Sequence, residues 1–130
     1  MKSFLSPLLR ADSPPHVLEN VRTQRVVADQ LLTAFDSTSR RHGLLGRDGL
    51  PDGSALIIAP SNAVHTFFMR FPIDILFVRR DGSVVKIRSA VAPWRIAGSL
   101  RAFAVIELRA GSLAQSDTAA GDCLICRPAD

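Results

Sequence analysis

His65-Thr-Phe-Phe-Met-Arg-Phe-Pro-Ile-Asp-Ile-Leu-Phe-Val78 is the longest apolar run in the chain, yet it carries one histidine, one arginine and one carboxylate. Read as a strand, its second half puts Ile73, Ile75 and Phe77 on one face and Asp74, Leu76 and Val78 on the other. Asp74 therefore stands in a row that burial claims, and a buried carboxylate needs a partner. Arg79-Arg80-Asp81-Gly82 follows at once, and Asp-Gly supplies the positive φ angles of a tight hairpin. The returning strand, 83–90, sets Val85, Ile87 and Ser89 against Val84, Lys86 and Arg88, so part of one face meets water. The hairpin of 73–78 with 83–87 is the expected centre of the fold.

Upstream of the run, residues 55–59 form a short continuous apolar strand, turned back by Pro60-Ser61-Asn62. Asp36-Ser37-Thr38 can cap a short helix over 39–45, whose last turn carries Arg40, Arg41 and His42 where the helix dipole favours cations. Gly43 and Gly46 end it, and 47–54 is turn chemistry. Val26 to Ala28 and Leu31 to Phe35 suit short strands or a hairpin about Asp29-Gln30, with a helix over 18–35 as the competing reading. Residues 1–20, rich in Pro, Ser and charge, read as a loosely attached arm, leaving 21–130 as one domain. Downstream, 91–100 reads as an irregular loop holding the only tryptophan, 102–108 as a strand with a second carboxylate, Glu107, in an apolar run. Residues 110–119 follow as a short helix or turn and 121–127 as a last strand. Many short strands with little helix predict a mainly β domain, a compact antiparallel β-barrel or sandwich with one or two short helices.

Length and composition agree with that: 130 residues, 47% apolar, suffice for one domain with a real core. With seven Phe, one Trp and no Tyr, the basis for a base-stacking platform is thin, and no nucleic-acid partner is expected. The net charge is +4, and Lys86, Arg88, Arg95 and Arg101 fall in a tract without an acid between Asp81 and Glu107. That tract could meet phosphate or an acidic partner, but a solvated strand face explains it more simply. Pro7 and Arg10 interrupt any secretory apolar core near the amino end. No run reaches the roughly 18 to 20 apolar residues of a membrane span, so a soluble, cytoplasmic monomer or weak dimer is expected.

The two cysteines, Cys123 and Cys126, have CxxC spacing but follow Gly121-Asp122 within a closing strand, where positions three apart face opposite ways. Structural thiols without a redox role are expected. A zinc site joining them to His42 and His65 is the competing arrangement, although no histidine pair has ligand-like spacing.

From about Val26 to Cys126 the chain resembles the family known as domain of unknown function 192 (DUF192). His42-Gly43-Leu44-Leu45-Gly46-Arg47 is similar to the family's Gly-Leu-Met-x-Arg turn after an arginine-rich helix. Phe68-Met69-Arg70-Phe71-Pro72-Ile73-Asp74 with Phe77 is similar to its aromatic, Met, basic, x, x, Pro-Leu-Asp and Phe run. Ile106-Glu107-Leu108 with Gly111, and Gly121-Asp122, resemble its leucine-glutamate-leucine strand and closing Gly-Asp. Leu45, Phe68 and Phe71 depart from the family's usual Met, Trp and Asn. The resemblance implies a small compact β-rich fold with no established activity or cofactor.

One constellation of polar residues falls in these segments: His42, Arg47, His65, Arg70, Asp74 and Glu107. The simplest arrangement is structural, with Arg47 or Arg70 paired to Asp74 and another cation to Glu107. A second makes Arg47, His65, Arg70, Asp74 and Glu107 a binding site for a small anionic ligand or protein partner. A third is a small-molecule hydrolase with His65 as base and Asp74 orienting it, although no nucleophile elbow, metal-ligand helix or phosphate loop accompanies them. No catalytic residue, metal ligand or cofactor is assigned, and the favoured reading is a non-catalytic binding or structural module.

Overall fold

The computed structural model describes residues 2–130. Strands β3 (Gln30–Ala34), β4 (Ser54–Ile58), β6 (Ile73–Val78), β7 (Val84–Val91) and β9 (Ala104–Arg109) form a five-stranded sheet in the order β3-β4-β9-β6-β7. The expected central hairpin is β6 with β7, and Gly82, at φ +92°, makes its turn. Strands β1 (His16–Asn20), β2 (Val26–Ala28) and β10 (Leu124–Pro128) make a second sheet, ordered β10-β1-β2, while β5 (Ala63–His65) pairs with β8 (Ile96–Gly98) as a separate ribbon. Helices among the described residues are limited to α1 (Ser37–His42), α2 (Ser112–Gln115) and a 3-10 turn at Ser6–Leu9. The fold is mainly β, and its sheets do not close into a barrel.

Strands β4 and β6 are buried along their whole length, and β9 up to Arg109, because both sheet faces are covered, which is why they read as continuous apolar runs rather than alternating ones. Ala55, Ile57, Leu76, Val78, Ala104 and Ile106 point into one core, closed by Leu18, Leu124 and Leu113 from β1, β10 and α2. Leu56, Ile58, Ile73, Ile75, Phe77 and Val105 point into the other, closed by Leu44, Leu50 and Met69 from connecting segments. At about 25 cal/mol per Å² of apolar surface removed from water, these two cores supply the main drive to fold.

Two sequence expectations change. The segment read as a loose arm supplies Leu5, 2% exposed, to the first core, and β1 is the middle strand of the second sheet. An apolar residue needs no periodic neighbours to be captured by a core, so composition alone misplaced it. Asp29-Gln30 does not turn a hairpin, since β2 and β3 lie in different sheets and the chain crosses between them there. The pairing is mostly antiparallel, as expected; β3 alone runs parallel to its neighbour β4, and α1 lies in the connection that parallel strands require.

Gly82 is held by packing as well as by φ, because an added Cβ would press on the Leu124 carbonyl oxygen. Gly46 has a similar φ, +83°, but open space around it. Gly46→Ala should cost about 1 kcal/mol, the ordinary penalty of a left-handed residue. Gly82→Ala should cost at least about 2 kcal/mol more in urea unfolding, as a buried clash is added to the strain. Equal losses at the two glycines would show that the approach of β10 to this turn does not matter.

Candidate functional site

Glu107 sits in the middle of β9, opposite Leu56 of β4 and Ile75 of β6. Directly opposed residues share a face, so Glu107 belongs to the side of the sheet carrying Leu56, Ile75 and Phe77. It is 3% exposed and has no hydrogen-bond partner among the described residues. Among the described residues no enclosed polar side-chain atom lacks a partner, so both carboxyl oxygens must open onto the space above them. That space is a cleft of about 380 Å³ between the sheet, α1 with its following turn, and β5. Burial pushes the Glu107 carboxyl up to about 7, and no neighbouring cation offsets it.

The cleft has apolar walls and a basic rim. Leu44, Leu45, Ile58, Val64 and Met69 line it, and Glu107 is its only carboxylate among the described residues. Arg40, Arg41 and His42 reach the rim from the last turn of α1, and His65 from the end of β5. The local sequence fixes that geometry: Asp36 caps α1 by accepting from the Ser39 N–H at 2.8 Å, and Gly43 stops it one residue after His42. Arg40 donates to the Phe35 carbonyl at 2.8 Å, whereas Arg41 and His42 are exposed.

The residues singled out by sequence do not all meet. Asp74 and Glu107 lie on adjacent strands but in opposite-facing rows, since Asp74 opposes Leu108 and Glu107 opposes Ile75. The pairing of Asp74 with Arg47 or Arg70 does not occur. Its carboxylate instead accepts from three backbone N–H groups, Ala90 at 2.8 Å and Gly111 and Leu113 at 3.0 Å each. Ala90, at φ +50°, sits in the bulge of β7, and Gly111 and Leu113 open α2, so one carboxylate holds a bulge and a helix start to β6. Arg70 pairs with Asp48 at 2.7 Å on the surface, and Arg47 is exposed without an ion-pair partner among the described residues. His65 lines the Glu107 cleft, across the sheet from Asp74, which removes the geometry of the hydrolase arrangement. The cysteines lie on and beside β10, away from the cleft that His42 and His65 line, and burial pushes the Cys126 thiol up to about 11. The closing Gly-Asp is structural: Asp122 accepts from Arg22 Nε at 2.7 Å and from Asn20 Nδ2 and the Ala119 N–H at 2.9 Å each, and Arg22 holds it well below the usual carboxylate range.

Sequence reasoning missed a second feature beside the cleft. His65 stacks on Phe67 with centroids 4.9 Å apart, Phe67 on Trp94 at 5.7 Å, and Phe68 tilts against Trp94 at 4.6 Å. Phe68 is 70% and Trp94 55% exposed, and both adopt left-handed backbone, at φ +66° and +68°. Bulky residues held there are strained, and such strain persists only where the surroundings enforce it. Buried Thr66 enforces it: its hydroxyl donates to the Ala92 carbonyl at 2.8 Å and accepts the Arg95 N–H at 2.9 Å, while its carbonyl accepts the Trp94 N–H at 3.0 Å and the Met69 N–H at 3.2 Å. The signal available was a threonine inside the apolar run, but its partners lie some 26 to 29 residues away.

Fold and site together define a small two-core β domain in which one buried acid opens onto a basic-rimmed cleft. The chain belongs to the DUF192 family, described as "Uncharacterized ACR", whose model matches residues 18–126. No curated protein matches the sequence. Among solved structures it is similar to a "putative transcription regulator" of Sinorhizobium meliloti 1021, at 23% identity over 85% of this chain and 91% of that one, with a TM-score of 0.74. It is also similar to a protein of unknown function from Novosphingobium aromaticivorans DSM 12444, at 22% identity over 88% and 87% of the two chains, with a TM-score of 0.72. At these identities the likeness shows the fold. No helix among the described residues is long and apolar enough to cross a membrane.

The two buried acids should respond oppositely to neutralisation. Asp74→Asn leaves backbone donors facing an amide, and should cost roughly 3 kcal/mol, about 10 °C in Tm for a domain this size. Glu107→Gln should instead stabilise at alkaline pH. Its folded pKa is raised from 4.5 to about 7, so the folded state holds the proton longer, and stability is lost as pH rises between those values. The loss amounts to roughly 3 kcal/mol in all. Urea unfolding of wild type and Glu107→Gln should therefore differ little at pH 4.5 and most at pH 8. A difference independent of pH would mean that Glu107 is not the group that titrates.

Proposed function

We propose that this domain is a non-catalytic binding module for a small organic anion, taken up in the cleft over Glu107. The observation that carries the proposal is the Glu107 carboxyl itself, buried without a partner among the described residues and lining the cleft. A core position that lowers stability when ionised is retained at a cost, and such departures from good packing mark functional sites. The rim supports an anionic ligand, because Arg41 is an exposed cation with the exposed His42 imidazole beside it, and among the described residues no second carboxylate lines the cleft. The apolar walls take the ligand's body, and Glu107 meets a hydroxyl, amine or amide at its far end.

The test is a thermal-shift screen with short carboxylic acids and phosphate monoesters carrying hydroxyl or amino groups. A ligand at 100 times its Kd stabilises by about 2.7 kcal/mol, which at this size shifts Tm by roughly 10 °C. Glu107→Leu should melt higher than wild type at pH 8 yet show no shift, and Leu45→Trp, which fills the cleft, should also abolish it. Hits that survive both substitutions would place binding elsewhere and overturn the proposal.

A further inference from the structure

We infer that the ligand is an acidic carbohydrate chain, with its terminal sugar in the cleft over Glu107 and the next sugars lying across the ring ladder from His65 to Trp94 and Phe68. This rests on the cleft reading above and extends it to a surface that the cleft alone does not use. His65 is the link, since it is both a wall of the cleft and the first ring of the ladder. The ladder then runs outward through Phe67 to Trp94 and Phe68, with ring centroids 4.6 to 5.7 Å apart.

The chemistry at each end selects the class. A carboxyl with two free oxygens at the bottom of a cleft accepts two hydroxyls at once, which a vicinal diol presents at the right spacing. The Arg41 and His42 rim then suits a carboxylate on the same sugar. Phe68 and Trp94 are open to solvent on a shelf fixed by Thr66, and a preorganised aromatic face takes the C–H face of a pyranose at little entropic cost. A single-stranded nucleic acid would need free cations along the same shelf to follow its phosphates. The shelf offers no such row: Arg70 is paired with Asp48 at 2.7 Å, which leaves Arg95, whose guanidinium touches only the Pro93 and Trp94 carbonyls at 3.5 and 3.3 Å, as a single charge beside Trp94.

Trp94 is the only tryptophan, so its fluorescence reports on the shelf directly. The full chain should be titrated with trimers of galacturonate, of mannuronate and guluronate, and of the hyaluronan repeat, alongside monomeric galacturonate, maltotriose and hexathymidylate. At least one uronate trimer should change Trp94 emission and bind roughly tenfold more tightly than the monomer, because the shelf adds a stacking contact. By calorimetry, Trp94→Ala and Phe68→Ala should each reduce trimer affinity about tenfold while leaving the monomer unchanged. Glu107→Leu should abolish both, and Arg101→Ala, outside the site, should change neither. A trimer that binds no better than its monomer, or equally well without Trp94, overturns the inference while a Glu107-dependent monomer signal leaves the cleft reading standing. Failure of every uronate, tighter binding of maltotriose than of any uronate trimer, or tighter binding of hexathymidylate with Trp94 dependence, overturns it as well.

Discussion

Burial of the central strands on both faces is the constraint from which the rest of this molecule follows. A strand with one wet face can turn a polar side chain to solvent, but β6 and most of β9 have no such face, so every polar group on them must be met by what its own side supplies. Asp74 and Glu107 are the two carboxylates on those strands, and they meet that constraint in opposite ways. Asp74 is met by three backbone N–H groups, at the bulge of β7 and the start of α2, and through them it sets where two connections leave the sheet. Glu107 is met by no hydrogen-bond partner among the described residues.

That difference is what separates structure from site. A carboxylate held by three backbone donors and closed off from solvent is out of a ligand's reach, whatever its place in a sequence motif. An unmet carboxyl raised towards neutral pH by burial can accept or donate a hydrogen bond, and a small change in its surroundings moves its charge. The cleft above it is made by segments with little regular structure, the turn after α1 and the short β5, so its shape depends on caps and turns more than on the sheet. The aromatic shelf follows the same logic, since Thr66 fixes two turns at once and holds Phe68 and Trp94 in backbone conformations they would not adopt alone.

The sequence by itself determined the β6–β7 hairpin, through Asp81-Gly82 between two apolar runs, and a short helix after Asp36, although α1 spans Ser37–His42 and not the expected 39–45. It also determined that Asp74 and Glu107 stand in buried rows, because strand periodicity is local and two residues long. What it could not carry was register. Whether two carboxylates on neighbouring strands share a face depends on a one-residue choice in their pairing, and here that choice sends them to opposite sides. For the same reason the partners of Asp74 and the clamp of Thr66 were invisible: each joins residues far apart in the chain through backbone groups, which every residue type possesses, and the burial of Leu5 depends on apolar side chains brought to it from distant strands. Side-chain chemistry is written in the sequence, but the backbone amides that answer it are placed only by the tertiary structure.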